Sequence, residues 1–316
     1  MSHDVDGLHH VGHLVRNLPA AVDAYRRLGF TVSPPAYPAV PGGPDQPARA
    51  LGAANAHVYL RRGFIELVSV LDEGQSVPSD ATIIPITAPA AKLPALMTAI
   101  RGTVANLAAR LDYFQGVHIL MLDAPDLTRA AARLDNTHVA HGGVHATQRP
   151  IDTPGGTGTE PVRYLEIADD PPEGRIGLAE SQPADTSHRP AHANGAVDLV
   201  DCLLCVSDAD LSDAHDRYRR YLNRPAQPSG PVRRFHLDHG TVTIVAASAL
   251  PDLSPDQRPS TLPAFVGYTV TVHDLSQTEN HLRVAGVPHT KHRPTAIAVP
   301  AGEALGVAIT FQQVTS

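Results

Sequence analysis

The chain has 316 residues, 42% of them apolar, with no tryptophan and a formal net charge of −7. That length allows about two domains, and the composition demands a core of Ala, Val, Leu and Ile. The sequence carries no basic stripe for nucleic acid and no apolar run near the ~20 residues of a bilayer span. Met1–Asp6 lacks the basic-then-apolar opening of a secretory signal, so a cytoplasmic protein is expected.

The first element is a strand, Gly7–Leu14, with histidines at 9, 10 and 13. Strand alternation puts Leu8, His10, Gly12 and Leu14 on one face and His9, Val11 and His13 on the other. Asn17 then caps a helix whose apolar stripe is Leu18, Val22, Tyr25 and Leu28, stopped by Gly29. Phe30–Val32 starts a second strand, a proline-rich loop runs from Pro34 to Pro47, and Asn55–Leu60 with Phe64–Val70 forms a hairpin across Arg61-Arg62-Gly63. The unit reads βαβββ.

The same unit returns three times. A connecting helix over 94–111 precedes strand Val117–Leu122, helix Leu127–Leu134 and a final strand Val162–Ile167. Residues 170–195, rich in Pro, Ala, Ser and Gly, read as a linker. Strand Leu199–Val206, helix Ser212–Leu222 and strands Val232–Leu237 and Thr241–Ala246 make the third unit. Strand Phe265–Val272, helix Leu275–Ala285 and strands near Thr295–Val299 and Gly306–Phe311 make the fourth. Cys202 and Cys205, three apart on a strand, point to opposite faces and read as structural.

Histidine opens both early units and glutamate sits within their last strands. In the later units those places hold Asp201 and about Gly267, then Thr243 and about Thr310. Four such units, with Leu8-His9-His10-Val11, Arg16-Asn17-Leu18, Tyr25–Val32, Ala54-Asn55-Ala56, Ile65-Glu66-Leu67 and His192-Ala193-Asn194-Gly195-Ala196, resemble the vicinal oxygen chelate superfamily. The chain is similar above all to its glyoxalase-like domain proteins. The resemblance implies an α+β fold in which four βαβββ modules form two glyoxalase/dioxygenase-like half-barrel pseudo-dimers. The halves would be residues 1–171 and 196–316, joined by 172–195.

The resemblance also implies one divalent metal ion (Zn, Ni, Mn or Fe) held by His10, Glu66, His118 and Glu166. Glu66 and Glu166 both lie in apolar strand contexts, where an unpaired buried carboxylate costs several kcal/mol, and a cation would remove that cost. A salt bridge from Glu66 to Arg61 or Arg163 is the alternative. His9 and His13 are alternates on the opposite face. Asn55, His57 and Tyr59 share a strand face and, with Tyr164, are expected to line the pocket, with His57 as a base.

A glyoxalase-type isomerase or lyase, with Glu166 or Glu66 as base and an enediolate-like intermediate, is the first expectation. An Fe(II)-dependent extradiol-type dioxygenase is the second, and a metal-free drug or natural-product binder the third. The partner expected is a small-molecule substrate, with a homodimer as the assembly to test. The second half is expected to act as scaffold.

Overall fold

A computed structural model describes residues 3–40, 49–72, 75, 77–78, 81–86, 89, 91–153, 156–168, 171–180 and 190–314. Unit one comprises β1 (Gly7–Leu14), α1 (Leu18–Arg27), β2 (Ala36–Val40), β3 (Arg49–Ala50), β4 (Ala53–Tyr59) and β5 (Phe64–Val70). After β6 (Thr82–Pro85) and the long α2 (Leu93–Tyr113), unit two runs through β7 (Gly116–Asp123), α3 (Leu127–Asn136), β8 (His145–Thr153), β9 (Gly156–Glu166) and β10 (Arg175–Glu180). Unit three is β11 (Ala196–Val206), α4 (Leu211–Leu222), β12 (Gln227–Ser229), β13 (Val232–Leu237) and β14 (Gly240–Ala246), followed by the short α5 (Leu250–Leu253). Unit four is β15 (Ala264–Val272), α6 (Leu275–Val284), β16 (Thr290–Arg293), β17 (Ala296–Val299) and β18 (Ala308–Gln313). No described helix is long and apolar enough to cross a membrane.

Each unit closes the same way. Its first strand pairs in parallel with its last, as β1 with β5, β7 with β10, β11 with β14 and β15 with β18. First strands then pair antiparallel in twos, β1 with β7 and β11 with β15. The result is the expected fold, two cupped half-barrels in one open sheet among the described residues. The cap predicted at Asn17 is present, its side chain accepting from the Ala20 N–H at 2.9 Å, and Asp126 does the same for Arg129. Such a cap stabilises a helix by about 1 kcal/mol.

Three local readings differ from the structure. No strand forms at Phe30–Val32; the second strand is Ala36–Val40, inside the proline-rich stretch. The last strand of unit two is Arg175–Glu180, inside the segment read as linker, so Val162–Ile167 is mostly the third strand. And strict alternation fails on β1. His9 is an extra residue between Leu8, opposite Leu122, and His10, opposite Met121. His118 is the matching extra residue on β7, between Val117 and Ile119. These paired β-bulges turn Leu8 and Val11 together into the main core under the helices. Cys202 lies in that core and Cys205 in a separate cluster, both thiols free and both raised by burial, as the spacing implied.

Buried polar side chains tie the halves together. His13 Nε2 donates to the Leu305 carbonyl at 2.9 Å, its Nδ1 accepts from Tyr25 Oη at 2.7 Å, and Tyr25 accepts from Tyr268 Oη at 2.8 Å. That proton assignment satisfies every member. His192 Nε2 donates to the Tyr59 carbonyl, its Nδ1 accepts from the Thr31 N–H, and Asn194 Nδ2 donates to the Leu28 carbonyl. The His192–Ala196 segment thus anchors the start of the second half on the first. Glu173, 1% exposed, accepts from Arg217 at 2.9 and 2.8 Å.

Register also explains why unit two cannot repeat unit one. Gly12 pairs with Glu66 on β5; the matching pair on β7 and β10 is Met121 with Gly177. A Cβ at Gly177 would lie 2.5 Å from the Leu165 carbonyl oxygen and 2.7 Å from Met121 Sδ. Gly177→Ala should therefore cost about 1–3 kcal/mol, read as a lowered midpoint in thermal unfolding. Unchanged stability would contradict the register.

Burial holds the His13 imidazole down to about 4, with the nearby His118 adding to the effect and the Leu305 hydrogen bond opposing it. Between pH 6.5 and about 4 the unfolded chain takes up a proton that the folded His13 refuses, so this stabilisation is lost as pH falls through that window. The difference in unfolding free energy between the native protein and His13→Gln, from urea titrations, should shrink by about 2 kcal/mol from pH 7 to pH 5. Using the difference removes the buried His192, which acts in the same direction, and Asp201, which acts in the opposite one, and leaves in only the coupling of His13 to His118. A constant difference would contradict a buried neutral imidazole.

Candidate functional site

The concave face of the first half is built by alternate residues of its strands. Leu14, Val68, Ile119, Met121 and Ala179 form its apolar end, and α2 drives Leu107 and Leu111 into it. Toward the other end of β1 and β5 the same face turns polar. His10, Asn55, His57 and Glu66 meet there, with Tyr59 and Phe64 as a wall.

Glu66 is the centre of this group. Asn55 Nδ2 donates to its Oε1 at 2.9 Å. His57 Nε2 lies 3.8 Å from Oε1 and His10 Nε2 lies 3.8 Å from Oε2. Both imidazoles are beyond direct hydrogen-bond reach, a common state for proton-transfer groups before substrate arrives. The rings are fixed by aromatic contact. His10 stacks on Phe64 with centroids 4.4 Å apart, and His57 stacks on Tyr59 at 5.2 Å. His9 and His10 are hydrogen-bonded through their Nδ1 atoms at 2.7 Å, which orients His10 Nε2 toward the carboxylate. The side chains of His10, His57 and Glu66 remain 12%, 13% and 19% exposed, so a ligand can touch all three.

Of the four ligands that the resemblance implied, the structure brings His10 and Glu66 together and holds the other two elsewhere. His118, the bulge residue, matches His9 in register rather than His10. It is 3% exposed, donates from Nε2 to the Phe114 carbonyl at 2.9 Å and packs on the Phe114 ring. Burial lowers its basicity further than that hydrogen bond raises it, and the Arg110 charge adds to the lowering. The residue matching His10 is Ile119, paired with Arg175 as His10 is with Phe64. Ile119 leans across β1 so closely that a Cβ at Gly12 would meet it at 2.6 Å.

Glu166 lies on the third strand of its unit, at the place His57 holds in unit one, opposite Gly177. It is bound by the Arg175 guanidinium, through Nε at 3.2 Å and through a second, shorter contact from Nη2. Tyr164, opposite Ala179, does face the cup; burial raises its phenol and the Glu166 charge adds to that. Neither Arg61 nor Arg163 serves Glu66: they pair with Asp198 and Glu180. Of the alternates, His13 is committed to the seam and His9 to His10.

Among the described residues, no three His, Cys, Asp or Glu side chains are grouped so as to hold a metal ion. The side chains therefore do not fit the four-donor cation site that the resemblance implied. What they build is a carboxylate between two imidazoles, an arrangement suited to moving a proton. The sequence pattern marked each of these three residues. It did not show that Asn55 would fix the carboxylate or that Phe64 would fix His10, because side chains on neighbouring strands meet only once the register is known.

The protein family described as a glyoxalase-like domain matches residues 8–222. No curated protein matches the chain in sequence. Among solved structures, a hypothetical protein from Staphylococcus aureus superposes with a TM-score of 0.58 at 11% identity, covering 98% of this chain and 99% of the other. A variant of 4-hydroxymandelate synthase from Streptomyces coelicolor gives 0.56 at 12% identity, over 98% and 93%. An Mn(II)-bound glyoxalase from Novosphingobium aromaticivorans gives 0.52 at 10% identity, over 99% and 83%. Identities this low speak for the fold, while the family match spans two complete units and the start of a third, and with it the chain belongs to the glyoxalase-like domain family of the vicinal oxygen chelate superfamily.

Proposed function

We propose that the N-terminal cup binds a small substrate with neighbouring oxygens and moves a proton at the carbon beside its carbonyl, as an isomerase or lyase. The observation that carries this reading is the Glu66 carboxylate set 3.8 Å from each of two imidazoles and held by Asn55. Glu66 is the base that accepts the C–H proton. His57 donates a ring N–H to the substrate oxygen on which charge develops, so the enediolate-like state is stabilised by a fixed donor. His10, oriented by His9 and Phe64, holds the second oxygen. The proton then returns to the adjacent carbon in an isomerase, or a leaving group departs in a lyase. Tyr59 and Tyr164 line the cup.

Glu166 takes no part in this scheme, because Arg175 already neutralises it. No step is routed through a cation, because His118 and Glu166 are engaged with Phe114 and Arg175.

The test is exchange of the α-hydrogen for deuterium in D₂O, followed by NMR over a panel of α-hydroxyketones, 2-oxoacids and 2-oxoaldehydes. Glu66→Gln should slow exchange by about 10²–10⁴-fold, the usual worth of a general base, while Glu166→Gln changes it little. Equal losses in the two variants, or a larger loss in Glu166→Gln, would overturn the assignment. Dialysis against a chelator should leave exchange unchanged. Loss that Zn, Ni or Mn restores would return the chain to a metal-dependent reading, and Fe(II)-dependent oxygen uptake would favour a dioxygenase.

A further inference from the structure

The second half carries a cup of its own, and its lining differs in kind. A cavity of about 550 Å³ opens on the concave face of β11, β13, β14, β15 and β18, within the size range of small-molecule sites. Register identifies its stations. The bulge residue His9 of β1 corresponds to Val200 of β11, so His10 corresponds to Asp201. Asp201 pairs with Thr241 and Leu203 with Thr243, as His10 does with Phe64 and Gly12 with Glu66. Arg234 faces Thr243 across β13 and β14, as His57 faces Glu66. A set of two imidazoles and a carboxylate in the first cup is thus Asp201, Arg234 and Thr243 in the second.

The new set is connected but not closed. Thr243 Oγ1 donates to Asp201 Oδ1 at 2.8 Å. Arg234 and Arg293 both line the cavity and act on the Asp201 charge, yet among the described residues neither guanidinium makes a hydrogen bond or an ion pair within 4 Å. Two free guanidiniums beside a single carboxylate repel cations and recognise oxyanions. The enclosure pushes Asp201 up to about 7, against the lowering by Thr243 and the two arginines, so near neutral pH the carboxyl can donate or accept. His236, Thr269 and Thr310 add polar groups to the wall.

We propose that the C-terminal cup is a second small-molecule site, which takes an organic oxyanion bearing a hydroxyl group, with Arg234 and Arg293 on the anionic group and Asp201 on the hydroxyl. The second half is then a binding domain in its own right rather than scaffold. The site is separate from the Glu66 cup, and the two readings fail separately.

Isothermal titration at pH 7 with malate as probe tests it, with neutral malamide and inorganic phosphate in parallel. Malate should bind, malamide should not, and phosphate should compete. Arg234→Ala and Arg293→Ala should each weaken malate by at least about tenfold. Should an alanine variant not fold, Arg234→Gln and Arg293→Gln keep the side-chain stem and give the same reading. No binding of malate or phosphate at millimolar concentration, or equal binding by native protein and both arginine variants, would overturn the proposal.

Discussion

The antiparallel pairing of β1 with β7, with one extra residue in each strand, is the constraint on which the first cup depends. It decides which side chains enter the cup and which enter the core. The bulge at His9 brings His10, Gly12 and Leu14 onto the concave face while Leu8 and Val11 stay in the core. The bulge at His118 does the same for Ile119 and Met121. Both extra residues are histidines, yet neither is a cup residue: one orients His10, the other closes on the Phe114 carbonyl. Sheet geometry, more than residue type, sorts the histidines into separate jobs.

From that sorting comes an asymmetry inside the first cup. Unit one offers His10, Asn55, His57 and Glu66. Unit two offers Ile119, Gly177 and an arginine-bound Glu166 at the corresponding stations. Gly177 is not merely a missing glutamate, because the Leu165 carbonyl and Met121 occupy the space a side chain would need. The chemistry is therefore concentrated on one side of the pseudo-dyad, and α2 fills the apolar end with Leu107 and Leu111.

Much of this was legible in the residues. Caps, apolar stripes and alternating strands gave four βαβββ units, and matching their openings picked out His10, Glu66, Asp201 and Thr243 at equivalent places. His57, Asn55 and Tyr59 followed from sharing a strand face with one another. What could not be read was anything that turned on a one-residue slip. A bulge leaves no mark in the sequence, so the residue pattern aligns His118 with His10 although register matches it with His9. The true last strand of unit two, Arg175–Glu180, hid in a Pro- and Gly-rich segment because it is short and buried by its neighbours rather than patterned. Its displacement moved Glu166 from the last strand to the third and gave it an arginine partner.

The most direct measurement is a crystal structure of the protein grown with Zn(II) or Mn(II), with ions located by anomalous scattering. His118 still donating to the Phe114 carbonyl and Glu166 still on Arg175, with no ion shared by the two units, is the expected result. A single ion ligated by His10, Glu66, His118 and Glu166 together would contradict the division of the cup into one reactive side and one inert side.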